Sequence, residues 1–469
     1  MCYNCLDKAE RRTVMAKIKT VDVLHGNLFK AIILFSFPIM LINLIQNLFS
    51  SVDIMVLNAM SNTTSVASVG ATTAITSLII NSFFGISSGA KIVLARLVGA
   101  KEENRVRSTI STALITAVAL GVFTSLLGLF FADDFLRITQ CPAECFEGAK
   151  MYIQIYVAAA PAIMLYNFGT AILNVSGDTQ RPLYYMIISG ISNVALNFVL
   201  CLVLPQKVAA VAIATAVSQI IGAVLVMRRL FKSEGICRFR LSDICWSRSS
   251  FRKILYNGIP VALSHALYPF SNMLIQTQVN VLGPAVMAGN SAMISIEGFA
   301  GAIANAPYSS AAGVFVGQSL GAGDNERVKK SILYCGCISV GLGLAMSVAS
   351  IWLTRPLAML FLGADEAAIA AALIRRKYVL GVYFIGCFNS IMGQTIQNFG
   401  YPIFSTANNV VSVLLFRIFW TGFVYPKHVN FDWLCLCYTV SWSIITIIYI
   451  LFFTYVYNFK FKKGKVKKM

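Results

Sequence analysis

The sequence predicts an all-α integral membrane protein: twelve transmembrane helices in two pseudo-symmetric six-helix bundles around a central cavity. Three observations carry this expectation. Of 469 residues, 57% are apolar and only 12% charged, against about 25% charged in a soluble globular chain. The mean hydropathy is +0.73. The chain also repeats itself, with Pro38 answered by Pro260 in a similar context, an offset of 222 residues.

A helical span needs about 20 consecutive apolar residues. Twelve such runs follow one another, at about 30–53, 62–90, 108–131, 150–173, 182–204, 208–228, 254–280, 285–313, 331–354, 377–396, 402–424 and 433–457. The uncharged runs Ile54–Ala90 and Ile254–Ile296 are too long for one helix. Turns are expected at NAMSNTT and VLGPA, where Asn, Ser, Gly and Pro break the pattern. Residues 1–29 read as a cytosolic arm with no apolar signal core. Residues 30–228 then form the first bundle, 229–253 a basic linker, 254–457 the second bundle and 458–469 a basic tail.

Charge orients the set. With both termini cytosolic, the N-terminal arm together with Lys30, residues 91–107, the Arg181 turn, 228–253, 327–330 and the tail hold 29 of the 38 lysines and arginines. This is the positive-inside pattern of a multi-pass protein of the inner (plasma) membrane. It also gives the net charge of +19 a membrane explanation rather than a nucleic-acid one. One cluster, Arg375-Arg376-Lys377, falls on the outer side with no account. The twelve cysteines lack the histidine company of zinc sites and read as small apolar fillers. No phosphate loop, G-x-S-x-G or H-E-x-x-H is present, so ATP hydrolysis and the common hydrolase chemistries lack support.

The repeat has three anchors. VGAKEENRVRSTI (98–110) aligns with LGAGDNERVKKSI (320–332), SFPIM at Ser36 with GIPVA at Gly258, and LNVSGDTQRP (173–182) with TIQNFGYPIF (395–404). Each half then holds an even number of spans, so both insert in the same sense. Parallel repeats of this kind are a transporter architecture.

The ordered motifs resemble those of the multidrug and toxic compound extrusion (MATE) family. They are Pro38, Val52-Asp53, GISSGAKIVLARLVGAKEE, SGDTQRP, SNVALN and VGQSLGAGDNERVKK, and IEGFAGAIANAP is similar to the DNA-damage-inducible and archaeal branch. The resemblance implies an antiporter that exports organic, often cationic, compounds or drugs in exchange for protons or sodium ions, with no cofactor. It further implies that Asp53 is the coupling acid of the first helix, with Asn193 on the fifth helix and Thr215 on the sixth. Asn197 stands where the family often has Asp. That substitution disfavours sodium, a hard cation that wants several oxygen ligands, more than it disfavours a proton.

The same residues can be read from physics. A carboxylate in hydrocarbon costs roughly 2.5–3.5 kcal/mol, so Asp53 needs partners or water. It stands about 35 Å of helix from Lys30, longer than a hydrocarbon core of roughly 30 Å, so a headgroup-level cap stays open. Asn193 and Asn197 are four residues apart and share a helix face. With Asn174 and Thr215 they could form one polar cluster around Asp53, or simply join helices. Pro38 is placed to bend the first helix. Glu297 lies mid-span and is functional by default as an intramembrane acid. Arg417 either lines the cavity or snorkels outward. His265 reads as a packed helix residue, while Tyr268, Phe270, Met273, Met293 and Phe299 suit a greasy cavity. The leading function is a multidrug antiporter acting as a monomer on small molecules within the lipid bilayer. The alternative is a flippase for lipid-linked cell-wall or polysaccharide precursors.

Overall fold

The structure, a computed structural model, describes residues 20–60, 63–139, 141–233 and 235–461, and leaves undescribed the side chains of 50–55, 57–59, 63, 64, 74, 241 and 460. The described residues form twelve long helical segments. The first half comprises α1 (Leu28–Met60), α2 (Thr63–Gly99), α3 (Glu103–Ile138), α4 (Ala143–Ala158 and Ala160–Val175), α5 (Gln180–Val203) and α6 (Lys207–Lys232). The second half comprises α7 (Arg248–Val281), α8 (Pro284–Ala300 continued by Ala306–Gly321), α9 (Asn325–Leu362), α10 (Glu366–Tyr378 and Tyr383–Asn398), α11 (Pro402–Asn409 continued to Phe416–Phe419) and α12 (Phe431–Val456).

Ten of these segments are long and apolar enough to cross a membrane, and α4, bent by 48°, makes an eleventh. The twelfth, α7, has 34 residues but carries Asn257, Ser264, His265, Ser271, Asn272 and Gln276. Its polarity has a use, because several of these side chains face a cavity. Large apolar side chains point outward around the molecule, among them Phe130, Leu202, Trp352 and Leu360. Contiguous exposed apolar surface of this kind suits hydrocarbon.

Two spans extend further than their apolar runs. α2 continues through Lys91 and Arg96 to Gly99, and both cations are buried in the helix rather than placed in a loop. α10 begins at Glu366 rather than near residue 377, which brings Arg375 inside, where it is 4% exposed. The cluster Arg375-Arg376-Lys377 therefore lies in the last turn of a helix segment, with Arg375 buried and Lys377 exposed.

The repeat is reproduced hydrogen bond by hydrogen bond. In the α2–α3 turn, Ala100 N–H bonds Arg96 C=O (2.9 Å), Lys101 bonds Val98 (3.0 Å) and Glu102 bonds Leu97 (3.1 Å). Their counterparts 222 residues on are Ala322 to Gln318 (2.9 Å), Gly323 to Leu320 (3.2 Å) and Asp324 to Ser319 (3.0 Å). The breaks in α4 and α10 are matched as well. Ser125 Oγ donates to the Val157 carbonyl (2.6 Å) and Ser347 Oγ to the Leu380 carbonyl (2.8 Å). Val157 lies four residues before Pro161, which has no N–H to offer, so Ser125 supplies the missing donor, while Ser347 adds a second bond to a carbonyl that also accepts from Tyr383 N–H.

The halves meet along α2 and α8, where repeat mates lie against each other. A Cβ on Gly317 would stand 2.9 Å from Ala95 Cβ, and one on Gly313 would stand 3.4 Å from Lys91 Cε. Toward the end that carries the basic loops, hereafter the basic end, the approach is closer. A Cβ on Gly99 would lie 2.0 Å from Gln318 O, and its mate on Gly321 would lie 2.0 Å from Arg96 O. α2 also presses on α7, with Gly85 over Ala262 and Gly89 over Gly258. Small residues let membrane helices make such backbone contacts. The linker follows α3, with Cys245 N–H bonded to Ser111 Oγ (2.9 Å) and Ser247 N–H to Thr112 Oγ1 (3.0 Å).

These contacts predict a paired response. Gly99→Ala and Gly321→Ala should each cost about 1–3 kcal/mol through forced separation of backbones. Gly336→Ala and Gly341→Ala, where a Cβ meets nothing within 4 Å, should be neutral or stabilising by up to about 1 kcal/mol. Thermal unfolding of the purified full-length protein in detergent checks the contrast. Equal behaviour of all four variants would contradict the α2–α8 seam.

Candidate functional site

A cavity of about 540 Å³ opens between α2 and the second half. Its wall takes Asn81, Phe84 and Lys91 from α2, and the rest from α7, α8, α10, α11 and α12. The cavity is thus set well into the second half, with one helix of the first half as a lid-side wall. Polar groups on these helices hold each other in place. Trp442 Nε1 donates to Tyr268 Oη (3.1 Å), Asn389 Nδ2 to the Trp442 carbonyl (3.0 Å) and Thr446 Oγ1 to Asn389 Oδ1 (2.8 Å). Ser405 Oγ and Tyr449 Oη lie 2.9 Å apart.

Lys91 is the one lysine or arginine of this wall among the described residues. It is 5% exposed, and its Nζ donates to Ser310 Oγ at 3.3 Å. Among the described residues it forms no ion pair, and no Asp or Glu lines the cavity. Sequence reasoning counted Lys91 with a loop. The signal that could have found it is the helical apolar run IVLARLVGA that follows it. His265, expected to be packed, sits on the cavity wall with its ring edge-on to Phe84 at 5.4 Å. Of the five residues expected to make a greasy cavity, Tyr268 lines it. Phe270 and Met273 face outward, Met293 is buried in the core, and Phe299 does not line the cavity.

Glu297 does not reach the cavity wall. Its carboxylate is gripped by Arg375, whose Nε donates to Oε1 (2.8 Å) and Nη2 to Oε2 (2.7 Å). Arg375 Nη1 donates to Asn290 Oδ1 (2.8 Å), and Asn290 Nδ2 donates to Gln276 Oε1 (2.8 Å). This bidentate pair bridges α8 and α10, and the amides extend it to α7. Both helices are irregular beside it. A π-helical turn, Gly301–Asn305, follows Glu297, and α10 is interrupted at Leu380–Val382 after Arg375. Side-chain hydroxyls reach carbonyls at both irregularities, Ser339 Oγ on Ala304 O (2.6 Å) and Thr439 Oγ1 on Tyr378 O.

Arg417 neither lines the cavity nor snorkels outward. It is fully buried behind the wall, between two π-helical turns of α11. Its Nη1 donates to Asn272 Oδ1 (2.6 Å) and to Ser271 Oγ (3.3 Å), and Asn272 is a wall residue. The guanidinium stands 4.2 Å from the centre of the Tyr438 ring, which Arg375 also approaches at 4.9 Å. Its Nε and Nη2 have no hydrogen-bond partner among the described residues.

The first half holds a separate polar chain. Asn197 Nδ2 donates to Asn193 Oδ1 (3.3 Å), Asn193 Nδ2 to Thr215 Oγ1 (3.4 Å), and Thr215 Oγ1 to the Val211 carbonyl (2.9 Å). Asn193 and Asn197 are buried. Asn174 is not part of this chain. It belongs to the tight α4–α5 turn at the basic end, where its carbonyl accepts from Gly177 N–H at 3.0 Å. Asn193 is thirteen residues into α5, about 20 Å further along the bundle. Pro38 lies inside α1, which runs without a break from Leu28 to Met60. Asp53 is in the same helix, but its side chain lies outside the described residues.

A buried pair should reveal itself by coupling. Glu297→Met or Arg375→Met alone should cost about 3–5 kcal/mol, because each strands a buried charge. The double variant should cost much less than the sum. A double-mutant cycle on thermal stability measures this, and additive losses would rule out the pairing.

The MatE family model matches residues 38–199 and 260–421, two blocks displaced by the same 222 residues as the repeat. Probable multidrug resistance protein YoeA of Bacillus subtilis is 26% identical over 65% of this chain and 67% of its own. An FAD transporter of Shewanella oneidensis is 23% identical over 64% of this chain and 67% of its own. Among solved structures, a MOP superfamily transporter of Pyrococcus furiosus, described as having a binding pocket of reversed polarity, superposes with a TM-score of 0.85. It is 21% identical, over 96% of this chain and 99% of that one. The family match spans both halves and most of the chain, and the twelve-helix fold agrees with it: the protein belongs to the MatE family of multi-pass membrane transporters.

Proposed function

We propose that this protein is a secondary antiporter of the multidrug-efflux kind, exporting small organic compounds across the inner membrane in exchange for an inward-moving ion. The observation that carries the reading is the division of polar groups. A cavity of about 540 Å³ lies in the second half, within the usual range for small-molecule sites of about 300–1,000 Å³. The Asn193–Asn197–Thr215 chain lies apart from it, in the first half. An antiporter needs two such places, one for cargo and one for the driving ion, linked by a conformational change.

In this reading Asp53 carries the driving ion with Asn193, Asn197 and Thr215 nearby, and Pro38 on the same helix supplies the deformable point. Pro38 has no N–H to bond the carbonyl four residues back, which weakens α1 there. A proton is favoured over sodium, because Asn197 offers an amide where a second carboxylate would strengthen a cation site. The protein acts as a monomer with both termini cytoplasmic, its halves joined by the linker 229–253. One named relative is a probable multidrug resistance protein and another an FAD transporter, so cargo choice here falls to the cavity itself. A pyrophosphate-bearing lipid precursor would call for several basic side chains. The wall offers Lys91 and His265, which favours a small solute.

Proteoliposomes with an imposed pH gradient and no sodium test the reading. A cationic dye, ethidium, and an anionic one, carboxyfluorescein, keep the assay independent of cargo sign. The gradient should drive at least one dye, and Asp53→Asn should reduce its transport to the protein-free leak while leaving dye binding intact. Undiminished transport by Asp53→Asn would remove Asp53 from coupling. Failure of both dyes under proton and sodium gradients would overturn antiport.

A further inference from the structure

We propose that the cavity is selective for organic anions, with Lys91 holding a carboxylate or phosphate carried on a planar aromatic body. The proposal deepens the transport reading, on which it rests for movement of the anion but not for its binding.

The first observation is the state of Lys91 itself. An ammonium has three donors, and here one rests on a neutral hydroxyl, Ser310 Oγ, at 3.3 Å. The side chain is 5% exposed and lines the cavity. A buried charge without an opposite charge is costly, so an anion arriving in the cavity supplies what the protein withholds. The second observation is position. Lys91 lies against Gly313, its own repeat mate, and a Cβ there would stand 3.4 Å from its Cε. It therefore occupies the pseudo-symmetry axis between the halves, and the missing side chain at 313 gives it room.

The third observation is the absence of a competing acid. No Asp or Glu lines the cavity among the described residues. The one acid of the second half that lies mid-span, Glu297, is committed to Arg375 through two charge-assisted hydrogen bonds. The fourth is a second cation behind the wall. Arg417 is fully buried, forms no ion pair among the described residues, and reaches the wall through Asn272 Oδ1 at 2.6 Å. Its charge adds to that of Lys91 in a medium of low dielectric. An organic cation entering this space would meet two like charges and no carboxylate. For the body of the solute, the aromatic residues Trp442, Tyr268 and Phe84 line the same wall.

The test is equilibrium binding of carboxyfluorescein and ethidium to the full-length protein in phosphatidylcholine nanodiscs, read by fluorescence anisotropy. Carboxyfluorescein should bind at least about tenfold more tightly than ethidium. Lys91→Met should weaken carboxyfluorescein by about tenfold or more, leave ethidium no weaker, and be rescued by Lys91→Arg. Should Lys91→Met fail to fold, Ser310→Asp sets a carboxylate beside the ammonium and should abolish anion binding in the same way. Ethidium binding as tightly as carboxyfluorescein, no binding of carboxyfluorescein, or an anion affinity indifferent to both substitutions would overturn the proposal. Added phosphatidylglycerol separates two sources of such an anion. Persistence of the dye assigns the site to a soluble aromatic solute, and its displacement would overturn the aromatic part of the proposal by assigning the site to a lipid headgroup. In proteoliposomes, Lys91-dependent binding without gradient-driven movement would overturn antiport while leaving the anion site standing.

Discussion

Hydrocarbon offers no hydrogen bonds, and this deficit governs the rest of the molecule. Every backbone donor and acceptor inside the membrane must find a partner in the protein. Regular helices meet the demand by themselves, so each irregularity needs an outside group. At the interruptions of α4, α8 and α10, Ser125, Ser339 and Ser347 from neighbouring helices donate to local carbonyls. A hydroxyl is small enough to sit in a close helix contact and strong enough to replace the lost bond. Serine at these positions is thus part of the backbone architecture as much as of the side-chain packing.

Once breaks are tolerated, charge can be buried beside them. Glu297 and Arg375 each stand next to an interruption, and Arg417 lies between two π-helical turns. π-helical turns inside α-helices often accompany functional sites. The second half thus combines irregular helices, buried ions and a cavity. The first half is more regular around its uncharged Asn–Asn–Thr chain, with the bend in α4 and a kink at Phe131 as exceptions. The two halves share one helix plan and differ in where they place buried charge.

Much of this was legible in the sequence. Twelve spans, the 222-residue offset and the positions of the tight turns all follow from apolar runs and motif spacing, because a helix must cross about 30 Å of hydrocarbon whatever its company. Asn193 and Asn197 could be paired because four-residue spacing fixes a helix face, whereas Thr215, on the next helix, joined them only through the family resemblance. What could not be read were contacts between distant segments. The cluster at Arg375 precedes the apolar run that starts near residue 377 and so reads as loop, and nothing local reveals a carboxylate 78 positions away. Lys91 was grouped with basic loop residues because charge usually marks a loop, although the helix runs on for eight residues beyond it. Asn174 was joined to the wrong end of the bundle, since a residue's depth in the membrane depends on where its helix stops.

The matched turns have a consequence for how each residue in them should be understood. Lys101 adopts φ 56°, a left-handed conformation, and its mate Gly323 adopts φ 74°. The two turns make the same hydrogen bonds with different side chains, so geometry is what the position requires and the basic group is an addition. The protein in effect carries its own homologue. Features shared by the two copies report the demands of the scaffold, and features present in one copy alone, such as a lysine facing a glycine across the axis, report specialisation.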